Sequence, residues 1–493
     1  MLRRGRVLAP AAAAALLFTG LAAHQAPEAS AASDGWTLPQ LTVSNGVITD
    51  VTGRTVLLRG ANVNQLNDYA QNDPALPTVA PLDGTDFAQM AALGFNVVRL
   101  NLAWSALEPT PGAFDQNYVA RIHTAVDDAK ANGIYTVLDM HQDAWGKAVG
   151  TPKGQGCPIF MQPGLGWDGA PAWATLTDGW TTCNFGGVRE SAPAVARSFQ
   201  NFYDDTQGIQ GHLVATWAKL AAEFKDEPAI AGYDLLNEPN PGLRDPFSAA
   251  DQLGKYYQRV IAAIRQAEHG SPPHLAIFEP SAIWSALGID ATPPAHYITD
   301  PLAVFSPHLY SESINVVNAF PTIEVGFKFA LDAAAKYKVP VWSGEWGWFG
   351  DPNSDAAKVD RFEDQLNANR MGGAWWSWKQ ACGDPHAVKG GEPNHPQGNL
   401  NPFACPSGSP LGRPAGYARP LSRAYPRAVP GSLTAVNATG FTGSGTGRIE
   451  AWYPGATRPS VQSTNVSDLT FTQVPGGWQL TGNTVGSYSI KQS

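Results

Sequence analysis

The sequence predicts an α/β fold, a (β/α)₈ TIM barrel followed by a small C-terminal β-sandwich, and three observations carry that reading. Between Leu57 and Trp378, short apolar runs that end in polar residues recur eight times. The stretches between them show the 3.6-residue periodicity of helices with one buried face. Past Gly416 the pattern changes to Thr/Val/Ser/Gly-rich alternation through Ser493.

The eight predicted strands are 57–62, 95–100, 134–140, 231–237, 274–279, 302–308, 339–345 and 373–378. Helical faces are clearest in 115–132, where Tyr118, Ile122 and Val126 align before Gly133 stops the turn. They recur at Leu213, Trp217, Leu220 and Phe224, and at Val359, Phe362 and Leu366. The gap after the third strand is long, and 144–195 is rich in Gly, Pro and Trp, which predicts an ordered loop over the top of the barrel. Pro420, Pro426 and Pro430 mark a linker, and strands are expected at 448–454, 468–474 and 477–490. The expected units are thus 1–31, 32–416 and 417–493.

Residues 1–31 read as a secretory signal peptide. Arg3, Arg4 and Arg6 precede an apolar stretch from Val7 to Ala23, and Ala29-Ser30-Ala31 forms a small-x-small cleavage site. The apolar run is shorter than the ~20 residues a membrane span needs, so the mature chain is expected to be extracellular with no transmembrane segment. The 493 residues, 43% of them hydrophobic, suffice for a large core. A formal net charge of −9 argues against a nucleic-acid partner. The four cysteines, Cys157, Cys183, Cys382 and Cys405, lie in the exported part, where disulfides persist. Three pairings are possible. Cys157–Cys183 and Cys382–Cys405 are favoured because each would staple one Gly- and Pro-rich loop. No CxxC pair or Cys/His cluster has zinc spacing, so neither a metal nor a cofactor is expected.

The candidate chemistry lies at strand ends. Ala231 to Leu236 is an apolar run that terminates in Asn237-Glu238-Pro239, and Val339 to Gly344 ends in Glu345. Two carboxyl groups at the carboxyl ends of the fourth and seventh strands can face each other across a sugar. Retaining glycoside hydrolysis needs that arrangement, with Glu238 as acid/base and Glu345 as nucleophile. The acid is expected to have a raised pKa, to which the charge of Glu345 contributes. Arg99 ends the second strand, where a guanidinium can orient the nucleophile. Asp139, His141 and Asp143 end the third and can hydrogen-bond sugar hydroxyls. His308 and Tyr310 end the sixth, with Tyr310 placed to hold Glu345. Asn237 is a candidate for the sugar 2-hydroxyl. Of the Trp residues in Trp375-Trp376-Ser377-Trp378, Trp378 is the expected floor of the sugar subsite and the other two are assigned to the core.

In this order, Asn237-Glu238-Pro239, His308-x-Tyr310, Glu345 and Trp378 resemble glycoside hydrolase family 5. Within it the chain is similar to the endoglycoceramidases, through Asp139-Met140-His141-Gln142-Asp143, the insertion after the third strand and the C-terminal β-module. The resemblance implies a substrate glycosphingolipid in micelles or membranes, cut between glycan and ceramide, with a small activator or detergent-like surface as a further partner. It places Asp139, His141, Asp143, Asn237, Tyr310 and Trp378 along the glycan. Asn62 to Asp68 lacks the Lys that some members carry there, and Trp145 stands where Phe is expected, so glucosyl- and galactosyl-linked ceramides both remain open. A lipid leaving group requires an apolar groove, for which Pro158, Ile159, Phe160, Trp167, Trp173, Trp180, Phe320, Phe327 and Phe329 are candidates. A secreted family 5 polysaccharide endoglycanase and a non-catalytic carbohydrate-binding protein are the competing readings.

Overall fold

The computed structural model describes residues 36–288, 291–314, 321–389, 392–393 and 398–493; the expected signal peptide and Phe320 lie outside them. Eight parallel strands form the central sheet: β1 (Arg59–Val63), β2 (Val97–Ala103), β3 (Tyr135–His141), β4 (Ile230–Asp234), β5 (Leu275–Phe278), β6 (Ala303–Phe305), β7 (Trp342–Trp346) and β8 (Gly372–Trp375). They run in the order β6-β5-β4-β3-β2-β1-β8-β7. A parallel bridge between Phe305 and Val341 joins the two ends, and the Phe305 amide donates to Pro340 O at 3.0 Å. The sheet is therefore a closed (β/α)₈ barrel. Gly60 meets β2 so closely that a Cβ there would lie 1.6 Å from Val97 O, which excludes any side chain.

Strand alternation explains both the core and the site. In β2, Val98, Leu100 and Leu102 point out to the helices, while Val97, Arg99 and Asn101 point into the barrel. In β3, Tyr135 and Val137 are followed by Asp139 and His141 on the inner face, and in β5 Leu275 and Ile277 are followed by Glu279. The amino end of the barrel is thus an apolar plug with Leu58, Val304 and Trp342, and the polar layer sits above it at the carboxyl end.

The outer helices start where local chemistry lets them. Asp115 caps Gln116–Ala131, Asp245 caps Pro246–Ala267 and Asp351 caps Pro352–Asn369, each accepting from two backbone amides; the last two have proline in the first turn. Leu213, Trp217, Leu220 and Phe224 share the buried face of Ile209–Phe224. The long loop after β3 carries a small hairpin, Met161–Gln162 with Asn184–Phe185, stapled by Cys157–Cys183; Cys382–Cys405 staples the loop after β8.

Among the described residues the second sheet has nine antiparallel strands, three of which precede the barrel in sequence. Leu41–Ser44, Val47–Asp50 and Arg54–Val56 lead into Tyr425–Pro430, with Val56 opposite Ala428. Gly447–Pro454, Val461–Val474 and Gly477–Gln492 match the three expected strands. Residues 41–56, expected within the barrel unit, thus belong to the C-terminal layer. Arg54 fastens the join by pairing with Asp50 at 2.7 Å and Glu450 at 2.9 Å. The expected linker is not one: Ala415–Leu421 is helical, Tyr425–Pro430 is buried throughout, and Arg423 pairs with Asp360 and Asp364. Among the described residues no helix is long and apolar enough to cross a membrane.

Candidate active site

Arg99 is the hub of the polar layer. Its buried guanidinium meets Glu345 Oε1, Asp139 Oδ1 and Glu279 Oε1, each at 2.8 Å, and Asp234 Oδ2 at 2.9 Å. One cation cannot neutralise four carboxylates in a dry interior. Burial accordingly pushes Asp234 well above, and Glu279 above, the usual carboxylate value, whereas at Asp139 burial is outweighed by Arg99 and His141 and the group stays low.

Glu345 ends β7 with both oxygens directed. Oε1 accepts from Arg99, and Oε2 accepts from the Tyr310 hydroxyl at 2.8 Å. Glu238 lies four residues past β4 in a left-handed conformation, φ 39°, which is uncommon for a non-glycine residue. That turn is held by its own amide, which donates to Glu279 Oε2 at 2.8 Å, and by Gln142, whose side chain donates to the carbonyls of Asn237 and Glu238. One oxygen of Glu238 and one of Glu345 lie within 4.8 Å of each other, with His308 between them. His308 Nδ1 is 2.9 Å from Glu238 Oε1 and 3.4 Å from Glu345, and Nε2 is 3.2 Å from Glu279. Such spacing suits direct attack on a sugar carbon and is too short for an intervening water, which needs about 6.5–9.5 Å.

The Glu238 carboxyl differs from expectation. Burial pushes it up, but the hydrogen bond and charge of His308, then the charge of Arg189, outweigh burial and hold it below its ordinary value. Conversely, the surrounding Glu279 and Glu345 overcome the burial of His308 and raise that imidazole well above its usual range. The two shifts together favour an ionised Glu238–His308 pair across their 2.9 Å contact.

The remaining expected residues separate into two sets. His141 and Asp143 join the cluster around Glu238: the His141 ring stacks on Trp376, centroids 5.4 Å apart, and Asp143 pairs with Arg189, which also meets Glu238, at 2.7 Å and with His386 at 3.2 Å. Asn237 accepts from Arg99 and donates to Gln142 O, which leaves one amide hydrogen for a ligand. Asp139 does not reach the glycan side; it is fully buried beneath His141, accepting from it at 2.7 Å and from Asn101 at 2.6 Å. Nor does Trp378 floor the cavity. It is wholly buried, donates to Asp86 and lies under Arg413, because β8 ends at Trp375 and the chain then turns Trp376 inward instead.

Of the groove candidates, Phe327 is core and Trp173 packs edge-on against Trp104. Ile159 and Phe160 stand 81% and 90% exposed in water. Trp167 is the exception, lying beneath the guanidinium of Arg189 and against His386.

Sequence reasoning missed Glu279, Arg189, His386 and Asp168. Glu279 was legible, since Ile277-Phe278-Glu279-Pro280 repeats the apolar-then-Glu-Pro pattern of Glu238. Arg189, which sits 3.1 Å from Glu238 Oε2 and also pairs with Glu190, has no local signal; only the folded long loop delivers it. Asp168 is fully buried near His141, Asp143 and Asp384, and its carboxyl is pushed up to about 8 by burial. His141, Asp143 and Asp168 each offer a donor atom within 4.8 Å of the others, as do Asp139, Asp234 and Glu279. The second trio already surrounds the Arg99 guanidinium, and in the first Asp143 is already paired with Arg189 and His386.

Comparison with known proteins places these features. Residues 50–382 match the family described as cellulase (glycosyl hydrolase family 5). Endoglycoceramidase I of Rhodococcus hoagii (strain 103S) is 29% identical over 274 residues, which covers 53% of this chain and 51% of that protein. The chain spans about half the length of the curated relatives it matches. A crystal structure of an endogalactoceramidase is 68% identical, covers 92% of this chain and 100% of the other, and superposes with a TM-score of 0.91. The endo-glycoceramidase II of Rhodococcus sp. in its ganglioside GM3 complex is 25% identical with a TM-score of 0.70, covering 91% and 100% of the two chains.

Proposed function

Because the chain belongs to glycoside hydrolase family 5, we propose that it is a retaining endo-β-glycosidase that cleaves the bond between glycan and ceramide in glycosphingolipids. The observation that carries this is the pair Glu238 and Glu345, at the ends of β4 and β7 with oxygens within 4.8 Å of each other. The high identity to an endogalactoceramidase over nearly the whole chain supports a galactosyl-linked ceramide as the preferred substrate.

Glu345, oriented by Arg99 and Tyr310, attacks the anomeric carbon while the bond from that carbon to the ceramide oxygen breaks. Glu238 delivers the proton to the departing oxygen. His308 supplies that proton across their 2.9 Å contact as the sugar displaces water and the ionised pair is left in a drier site. Glu238, now a carboxylate, takes a proton from water, whose oxygen attacks the same carbon; the glycan leaves and Glu345 is regenerated with the original configuration. Trp376 and His141 lie on the glycan side, with Asp143, Arg189 and His386 behind them. Export to an oxidising compartment is part of the same proposal, supported by the leader composition and two disulfides that use all four cysteines.

The test is to incubate the purified protein with galactosyl-linked and glucosyl-linked glycosphingolipids in detergent micelles and, separately, with carboxymethylcellulose. Intact oligosaccharide from the galactosyl-linked lipid is the expected product, and Glu345→Gln should abolish its release while leaving the fold unchanged. Product from the polysaccharide alone would replace the lipid reading with an endoglycanase; no turnover of any substrate would favour a carbohydrate-binding role.

A further inference from the structure

The large apolar side chains that remain exposed are not scattered. Among the described residues there are thirteen, and nine follow the carboxyl ends of β3, β4, β5 and β6. They include Ile159, Phe160 and Phe185 after β3, Phe247 after β4, Ile283 after β5 and Ile314 after β6. These four strands are consecutive in the barrel, so the exposed groups form an arc on the rim around the active-site mouth. The loops that carry them are tied to each other: Asn240 donates to Glu190 O at 3.2 Å, and the Ala282 amide donates to Pro239 O at 3.0 Å. Glu238 sits at the middle of this arc, and an acid stands on the side from which the leaving group departs.

Three features distinguish the arc from an ordinary wet surface. Phe160 and Phe247 are 90% and 79% exposed, whereas exposed apolar groups on soluble proteins are usually dispersed. Phe160 has φ 71°, a conformation that is an outlier for a bulky residue. It lies in the turn between Cys157, which is bonded to Cys183, and the strand Met161–Gln162, so its backbone sits beside a covalent brace. The same segments carry exposed charges of both signs, Lys153 and Arg244 with Asp178 and Asp245, so the arc has no electrostatic preference.

We propose that this arc is a lipid-docking surface that inserts Phe160, Phe247 and their neighbours into the interfacial region of a zwitterionic bilayer or micelle, presenting Glu238 to a bond at headgroup depth. The inference rests on the glycolipid reading for its occupant. A leaving group anchored in lipid cannot travel far to the enzyme, so an enzyme whose acid lies at the centre of an apolar rim meets the bond where the lipid holds it. The mode is apolar insertion, as for interfacial anchors, and not attraction to anionic lipid.

The experiment sediments the full chain with sucrose-loaded phosphatidylcholine vesicles that contain no glycolipid, at low and high salt. Wild-type protein should bind equally at both. Phe160→Ser combined with Phe247→Ser should weaken partitioning by about tenfold or more. Both changes leave hydrolysis of a soluble aryl β-glycoside unaltered, and Phe160→Leu with Phe247→Leu should retain binding. Failure of the wild type to bind, binding abolished by salt, serine variants that bind normally, or a solution dimer dissolved by those variants would each overturn the docking surface. A protein that docks but cleaves no glycolipid in detergent micelles would instead sink the proposed activity.

Discussion

Arg189 offers the sharpest test of the site's electrostatics. Its guanidinium lies 3.1 Å from Glu238 Oε2 and 2.7 Å from Asp143 Oδ1, and it favours the ionised form of the acid that must be protonated to act. Replacing it by methionine keeps the apolar stem over Trp167 and removes the charge. A unit charge at this range is worth up to about 4 kcal/mol at an effective dielectric near 20. The two side chains are 21% and 18% exposed, so solvent and the competing contacts with Asp143 and Glu190 reduce that to about 1–1.5 kcal/mol, or about one pKa unit. In the proposed reaction the Glu238–His308 pair supplies the donated proton, so activity falls as pH rises through the value at which the pair loses it in the free enzyme. Loss of the cation raises that value, and the basic limb of kcat/KM against pH should move upward by about one unit. The limb belongs to the Glu238–His308 pair as a whole, and Arg189→Lys should return most of it. A basic limb that stays in place or moves to lower pH would refute the argument that Arg189 acts on the acid.

Other consequences follow from the same geometry. Tyr310→Phe deletes the 2.8 Å hydrogen bond to Glu345 Oε2; a charged hydrogen bond of about 1.5–3 kcal/mol predicts a roughly ten- to hundredfold fall in kcat in single-turnover assays with little change in melting temperature. Trp378→Ala should cost about 3–5 kcal/mol of stability by denaturant titration, because the residue is core, whereas Trp376→Ala should raise KM for the glycan; the opposite pattern would restore Trp378 to the sugar subsite. Asp168 is raised from 3.8 to about 8, so the folded chain binds more protons than the unfolded chain between those limits and the stability from this group is lost as pH rises through about 8. Asp168→Asn should therefore flatten the decline in melting temperature between pH 5 and 9; an unchanged slope would show that Asp168 does not titrate there.

The particular elements show what could be read in one dimension. The barrel was legible because each strand buries an apolar run and then ends in polar residues, and because Tyr118, Ile122 and Val126, like Leu213, Trp217, Leu220 and Phe224, repeat at helical spacing. Glu238 and Glu345 were legible for the same reason: strand ends and catalytic geometry coincide in a barrel. Errors arose where direction in space mattered. Trp376 and Trp378 are two residues apart in a segment that leaves the strand, so period-two alternation no longer assigns their faces. Asp139 and His141 share a strand face, yet one lies a layer deeper and serves Arg99 rather than a ligand.

By itself, the amino-acid order determined the strand and helix periodicity, the two carboxylates at the ends of the fourth and seventh strands, and the loops that the disulfides staple. Only the tertiary structure decided the electrostatics around Glu238. Arg189 arrives from a long loop with no periodic signal, and His308 sits 70 residues beyond Glu238, yet together they hold its carboxyl below the ordinary value. Residues 41–56 likewise had no local reason to leave the barrel; they join the C-terminal sheet because their edge pairs with Tyr425–Pro430. Strand and helix propensities act over neighbours in sequence, whereas charge pairing, burial and sheet edges act over neighbours in space.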